Sequence, residues 1–211
     1  MNNNVFAVAL NHRSQMTAWS DAFQQPPYQT LPKTPVWFIK PHNTQIGHLA
    51  PIPYPSGESE VLSGATLAIV IGKTARRVKP EQAAEYIAGY ALANDISLPE
   101  TSFYRPAIKA KCCDGFCPIG DAVLAINPDQ LIVCTDINGV EADRWNTADL
   151  LRGAHELVCA LSDFAALQPG DKILIGTPHQ RIKIHPGDRI TVRAQGLPEL
   201  TNIVMQQGGS V

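Results

Sequence analysis

Apolar residues in this chain cluster in short runs, separated by proline, glycine and polar residues, a pattern that predicts strands and turns. Residues 5–10 read as a first strand, followed by a polar stretch at 11–25. Pro26, Pro27, Pro32 and Pro35 then enforce an extended, loop-like segment. Residues 36–39 form a short buried strand closed by Lys40 and Pro41, and Pro51, Pro53 and Pro55 make a second rigid connector. The near-continuous apolar run 67–72 is the pattern of a strand covered on both faces. Residues 131–137 lead into Asn138-Gly139, a hairpin signature, because both residues tolerate positive φ. Strands at 172–175, 182–184 and 189–194 complete the set.

Helical spacing occurs twice. From Pro80, which suits a first helical position, small or apolar residues fall at Ala84, Ile87, Ala88, Ala91 and Leu92. Leu150, Ala154, Leu157, Val158, Leu161, Phe164 and Ala165 share the face of a second helix, capped by Asn146 or Thr147 and stopped at Pro169-Gly170-Asp171. Pro-Gly-Asp recurs at 186–188 as turn chemistry rather than as a repeat. No composition shift divides the chain. The expectation is one α+β domain, mostly β, over residues 1–211, with two main helices and a less regular part at 1–50.

Composition narrows the function. The 211 residues carry 17 basic and 19 acidic side chains, a formal net charge of −2, which offers no broad basic surface for nucleic acid. The longest apolar run, at 65–72, is far short of the ~20 residues of a membrane span. The N-terminus has no basic region ahead of its apolar stretch, so it does not read as a secretory signal. Five cysteines, two of them adjacent at Cys112 and Cys113, do not form a disulfide framework. A cytoplasmic protein with free thiols is expected.

Several familiar motifs fail on inspection. Gly72-Lys73-Thr74 ends like a phosphate loop, but Leu67 stands where its first glycine must be. His155-Glu156 opens like a zinc-protease helix, but Cys159 stands where the second histidine belongs. Cys113 and Cys117 lack a second ligand pair, and no GxSxG elbow is present.

What survives is an ordered series: PYPSG at 53–57, LAIVIGK at 67–73, YIAGYALAND at 86–95 and KCCDGFCPIG at 111–120. INGVEADRWNTADL at 137–150, LQPGDKILIGTP at 167–178 and PGDRITV at 186–192 follow. Together these resemble the fumarylacetoacetate hydrolase family across most of the chain after residue 50. FAVALNHRSQ, VWFIKPHNT, VLSGAT and SLPETSFYRPAIKAKC are similar to one branch of it, which works on aromatic-ring breakdown products such as those of 4-hydroxyphenylacetate. The resemblance implies a mixed β-roll or sandwich that dimerises or pairs two homologous halves, here a homodimer or a hetero-oligomer with a homologous C-terminal subunit. It implies Mg²⁺ or Mn²⁺ in the family and an oxo-dicarboxylate substrate. The implied reactions are decarboxylation of 5-oxopent-3-ene-1,2,5-tricarboxylate and isomerisation of 2-hydroxyhepta-2,4-diene-1,7-dioate. In such chemistry a divalent ion chelates adjacent oxygens and stabilises an enolate.

The same resemblance exposes departures. The family's Glu-x-Glu before the apolar strand is Gly64 and Thr66 here, leaving Asp95, in Asn94-Asp95, as the one retained ligand position. Glu58 and Glu60 share a strand parity with these positions but lie up to ~20 Å away in an extended chain. A chain that binds no metal unaided is therefore expected, and a non-catalytic partner of a metal-bearing subunit is the alternative to an enzyme. The family's lid histidine is Gln15, and an arginine expected four residues after Asp95 is Pro99. By the resemblance Lys111 faces an anionic substrate or enolate oxygen, unless it is a surface lysine like Lys109. Thr177 holds a substrate carboxylate or serves only its turn; Lys40, after its buried strand, points into the same cavity, and Arg105, beside Tyr104, binds an anion or forms a structural ion pair. Asp95 is catalytic, or pairs Lys111 as the remnant of a former site.

Overall fold

The computed structural model describes residues 3–124 and 126–207. In chain order it contains β1 (Val5–Ala9), α1 (Arg13–Phe23), β2 (Val36–Lys40), β3 (Gln45–Ile46), β4 (Ile52–Tyr54), β5 (Val61–Ser63) and β6 (Ala65–Ile71). Then come β7 (Ile87–Asn94), α2 (Ile108–Lys111), β8 (Cys117–Pro118), β9 (Ile132–Ile137), β10 (Val140–Asn146) and α3 (Ala154–Ser162). Strands β11 (Lys172–Leu174), β12 (Ile182–Ile184), β13 (Arg189–Ala194) and β14 (Leu200–Gln206) end the chain. One sheet has the order β2-β1-β11-β6-β7 and the other β10-β9-β13-β14-β4; β12 pairs with β5, and β3 with β8. The architecture is mostly β, as the hydrophobic pattern predicts.

Strand β6 organises the interior. Its odd-numbered residues Leu67, Ile69 and Ile71 enter a core shared with Val133, Val192 and Leu200 of the second sheet and with Leu157 and Leu161 of α3. Its even-numbered Ala68 and Val70 pack on the opposite face against Ala7, Ala91, Ala93 and Leu174. Alternation with period two thus buries both faces, which is why the run reads as continuously apolar. The sequence 1–50 is tied into the same sheet, since β1 lies between β2 and β11.

Three expectations are corrected. The helix from Pro80 stops as a 3-10 stretch at Pro80–Tyr86, and residues Ile87–Asn94 are a strand paired antiparallel to β6. Alanines at 88, 91 and 93 favour a helix locally, but the open edge of β6 and two apolar faces outweigh that propensity. Gly89 fits this strand because a Cβ there would sit 3.0 Å from the Val123 backbone. The polar stretch 11–25 contains α1, whose N-terminus is capped by the His12 ring accepting from Ser14 N–H. Trp19 and Phe23, one turn apart, pin it to Phe103, the rings meeting at 4.8 and 6.5 Å. Finally, Asn146 caps a 3-10 turn at Thr147–Asp149, and α3 begins only at Ala154. Among the described residues, no helix is long and apolar enough to cross a membrane.

A candidate anion-binding site

Asp95 sits one residue beyond β7, where the β6–β7 ladder places it beside the β5–β6 junction. The Asn94 carboxamide oxygen accepts from Gly64 N–H at 2.9 Å and from Ser63 Oγ at 3.0 Å, and Asp95 N–H donates to Gly64 O at 2.8 Å. These bonds lock the junction and aim the Asp95 side chain inward. Lys40 ends β2 and Lys111 ends the single turn of α2. Arg181 directly precedes β12, whose register pairs Ile182 with Ser63; one step further sets Arg181 opposite Gly64.

Three elements therefore deliver one cation each to the buried carboxylate that follows β7. Lys111 Nζ lies 2.7 Å from Asp95 Oδ2, Arg181 Nη2 lies 2.7 Å from the same oxygen, and Lys40 Nζ lies 2.8 Å from Oδ1. Glu100 Oε2 is 3.1 Å from Lys111 Nζ. The three Lys40 N–H donors go to the carbonyls of Ile96, Lys111 and Phe116 at 2.7–2.9 Å. Its contact with Oδ1 is consequently ionic, and Oδ1 is left without a hydrogen-bond donor. Three cations against two carboxylates give the cluster one net positive charge.

Electrostatics follow from this crowding. Burial alone would raise the Asp95 pKa, but Lys111, Lys40 and Arg181 more than offset it and hold the carboxyl well below the usual range. Lys111 is pushed down to about 8, first by desolvation and then by the neighbouring Arg181, despite its two acidic contacts. A buried cation cluster with surplus charge lowers its own electrostatic cost when an anion arrives.

An access route exists. A cleft of about 440 Å³ opens onto Lys111 and Glu100 and is walled by Trp37, Phe38, Phe103, Tyr104 and Ile108, with Arg105 on its rim. Lys111 Nζ stands 4.9 Å from the centroid of the Phe38 ring, within cation–π reach. Apolar walls over a cationic floor suit a carboxylate carried on an unsaturated chain. Chemically, an ammonium there can stabilise oxyanion charge that develops in a reacting ligand.

The residues present do not fit a divalent ion. Gly64 offers no ligand, and a Cβ there would lie 3.0 Å from Asp95 O, 3.1 Å from Thr177 Cγ2 and 3.4 Å from Arg181 Cζ. Thr66 Oγ1 donates to Gly176 O at 2.6 Å. Asp95 is already covered by cations, and among the described residues no three His, Cys, Asp or Glu side chains converge. Glu58 pairs with Lys109 and Glu60 with Lys183, away from Asp95. The cysteines are free thiols, and burial pushes Cys117 up to about 12.

Of the residues singled out from sequence, Lys40, Asp95 and Lys111 come together, and Lys111 is buried rather than surface-lying like Lys109. Thr177 joins through Arg181 Nη2, which donates to its hydroxyl at 3.1 Å. Arg105 is exposed on the cleft rim. Arg181 and Glu100 were not legible. Arg181 reaches the site only because β12 pairs with β5, two short strands far apart in sequence, and the Glu100 segment has no periodicity.

The chain belongs to the fumarylacetoacetate hydrolase family: the profile of the fumarylacetoacetate (FAA) hydrolase C-terminal domain matches residues 4–205. It is 64% identical over 98% of its length to the Escherichia coli 4-hydroxyphenylacetate degradation bifunctional isomerase/decarboxylase, of which the match covers 48%. The chain spans about half the length of the curated relatives it matches at this level. Its fold is similar to 5-carboxymethyl-2-hydroxymuconate delta-isomerase from Mycobacterium smegmatis (TM-score 0.85, 33% identity, 98% of this chain and 80% of that one). It is also similar to fumarylpyruvate hydrolase from Pseudomonas aeruginosa, solved in complex with Mn²⁺ and pyruvate (TM-score 0.83, 25% identity, 97% and 90%).

Proposed function

We propose that this chain is one homologous unit of an isomerase/decarboxylase of 4-hydroxyphenylacetate breakdown. It acts on 5-oxopent-3-ene-1,2,5-tricarboxylate and on 2-hydroxyhepta-2,4-diene-1,7-dioate. The observation that carries the reading is Lys111, paired with the buried Asp95–Arg181 couple and lining the foot of an apolar-walled cleft, in a chain 64% identical to such an enzyme. Arg105 on the rim and Lys111 on the floor take the substrate's anionic groups, while Lys40 and Thr177 brace Asp95 and Arg181 behind them.

The chemistry needs a positive charge beside one oxygen. When the C–COO⁻ bond breaks, its electron pair passes along the conjugated chain to the oxo oxygen, and CO₂ leaves. The Lys111 ammonium stabilises that oxyanion by hydrogen bond and charge. The enolate oxygen takes up one proton from water to give the enol, and isomerisation then moves that proton from oxygen to carbon, with Lys111 and Glu100, 3.1 Å apart, able to relay it.

A second reading has its own support: every Lys40 donor is spent on a carbonyl, and Asp95 is covered by cations, so this unit resembles a stabilising partner of a metal-bearing half. The two separate in one assay. Turnover of the tricarboxylate by the purified chain is measured by CO₂ release, alone and with a homologous half added. Catalysis by this unit predicts a rate in the chain alone that falls by roughly 100-fold or more in Lys111→Ala. Activity seen only after the second half is added, and indifferent to Lys111→Ala, establishes the partner reading instead.

A further inference from the structure

We infer that Arg181 is a resident cation of this site, whose guanidinium fills the space that acidic side chains at positions 64 and 66 would need and so bars divalent ions. The inference rests on reading the cleft as an anion site, but its test measures ion binding and not turnover, so the two fail separately.

The β5–β12 register sets Arg181 opposite Gly64, and any Cβ at 64 would stand only 3.0 Å from Asp95 O and 3.1 Å from Thr177 Cγ2, with the guanidinium carbon in contact at 3.4 Å. A longer side chain leaving that Cβ toward Asp95 meets the guanidinium itself. Glycine at 64 thus leaves room for Thr177 and for the guanidinium that donates to its hydroxyl.

The guanidinium is also held from several sides. Nη2 donates to Asp95 Oδ2 at 2.7 Å and to Thr177 Oγ1 at 3.1 Å; Nη1 donates to Ser97 Oγ at 2.7 Å and to Asp95 O at 3.2 Å. Its side chain is only 10% exposed. A planar fork fixed by these acceptors does not swing aside without leaving several of them unpaired. Thr66 completes the substitution. Its hydroxyl proton is committed to Gly176 O, so this position donates a hydrogen bond where a carboxylate would supply charge.

Charge points the same way. Asp95 would be a ligand for an incoming ion, yet it already faces Lys40, Lys111 and Arg181, and the cluster is net positive. A divalent cation must displace one of these or sit against all of them. A carboxylate ligand meets no such barrier.

The test uses Mn²⁺ alone as the probe, read by the loss of the free-ion electron paramagnetic resonance signal. Four forms of the full chain are compared: wild type, Gly64→Glu/Thr66→Glu, the same pair with Arg181→Ala, and the same pair with Arg181→Gln. Wild type is expected to bind no Mn²⁺ at millimolar ion. The double variant should bind at least about tenfold more weakly than a form that also lacks the guanidinium, because restoring charge without space is not enough. Circular dichroism checks folding; Arg181→Gln keeps a hydrogen-bonding side chain and carries the test if the alanine form does not fold. Micromolar Mn²⁺ binding by wild type overturns the inference. So does equal affinity with and without Arg181.

Discussion

Two ion networks in this protein pair acidic with basic side chains in opposite surroundings. On the second sheet, Arg193 bridges Asp136 and Glu141, and Glu141 also pairs with Arg144, all at 35–54% exposure except Asp136 at 17%. Around Asp95, the carboxylate and its three cations are all at least nine-tenths buried. The surface set lies in water and salt, which screen its charges and solvate each partner that is lost. The buried set has no such reserve, so each member is held in place by the others. A change in the surface network leaves its partners solvated, whereas a change in the buried one leaves charges uncompensated inside the fold.

The contrast is broken most sharply at its centre. Asp95→Ala leaves three cations facing one another, and removing one partner of a buried ion pair costs about 3–5 kcal/mol. The urea midpoint should fall accordingly, and a midpoint within error of wild type would show that the cluster is better solvated than its burial implies. Acid should produce a related loss. Because the Asp95 carboxyl is held below its unfolded value, its stabilisation is complete above roughly pH 4. It fades as pH falls from there, which thermal unfolding at stepped pH will detect.

A smaller effect sits at Lys111. Its folded pKa of about 8 lies below the unfolded value of about 10.4, so folding disfavours its charged form. Stability rises with pH here as it does for Asp95, but the contribution is a penalty: it is full below pH 8 and is relieved as pH rises from 8 toward 10. Binding of a dicarboxylate runs the other way, weakening above pH 8 as the ammonium is lost, by up to about tenfold per pH unit. Calorimetry with 2-oxoglutarate from pH 7 to 9 checks this, and affinity that stays flat removes Lys111 from the ligand contact. Least of all, Arg193→Ala should leave the denaturation midpoint close to wild type, with any difference vanishing in 0.5 M salt. A large, salt-resistant drop would erase the distinction between the two networks.

How much of this was readable beforehand follows from distance along the chain. The β6 run, the Asn138-Gly139 hairpin and the strand at 189–194 declare themselves through local periodicity and turn residues. Strands β4, β5 and β14 do not, being short or too mixed in character for alternation to stand out. The helix α1 hides for the opposite reason: Ser14, Thr17 and Ser20 mask a face that matters only once Phe103 arrives to cover Trp19 and Phe23.

By itself the sequence determined the mostly-β class, the family, and the replacement of acidic residues by Gly64 and Thr66, because these are properties of single positions and short periods. Only the folded chain decided what fills the space they left. Arg181 has no local mark of function; it acquires one through a register of backbone hydrogen bonds between β5 and β12, and such pairing over more than a hundred residues is written in no short window of sequence.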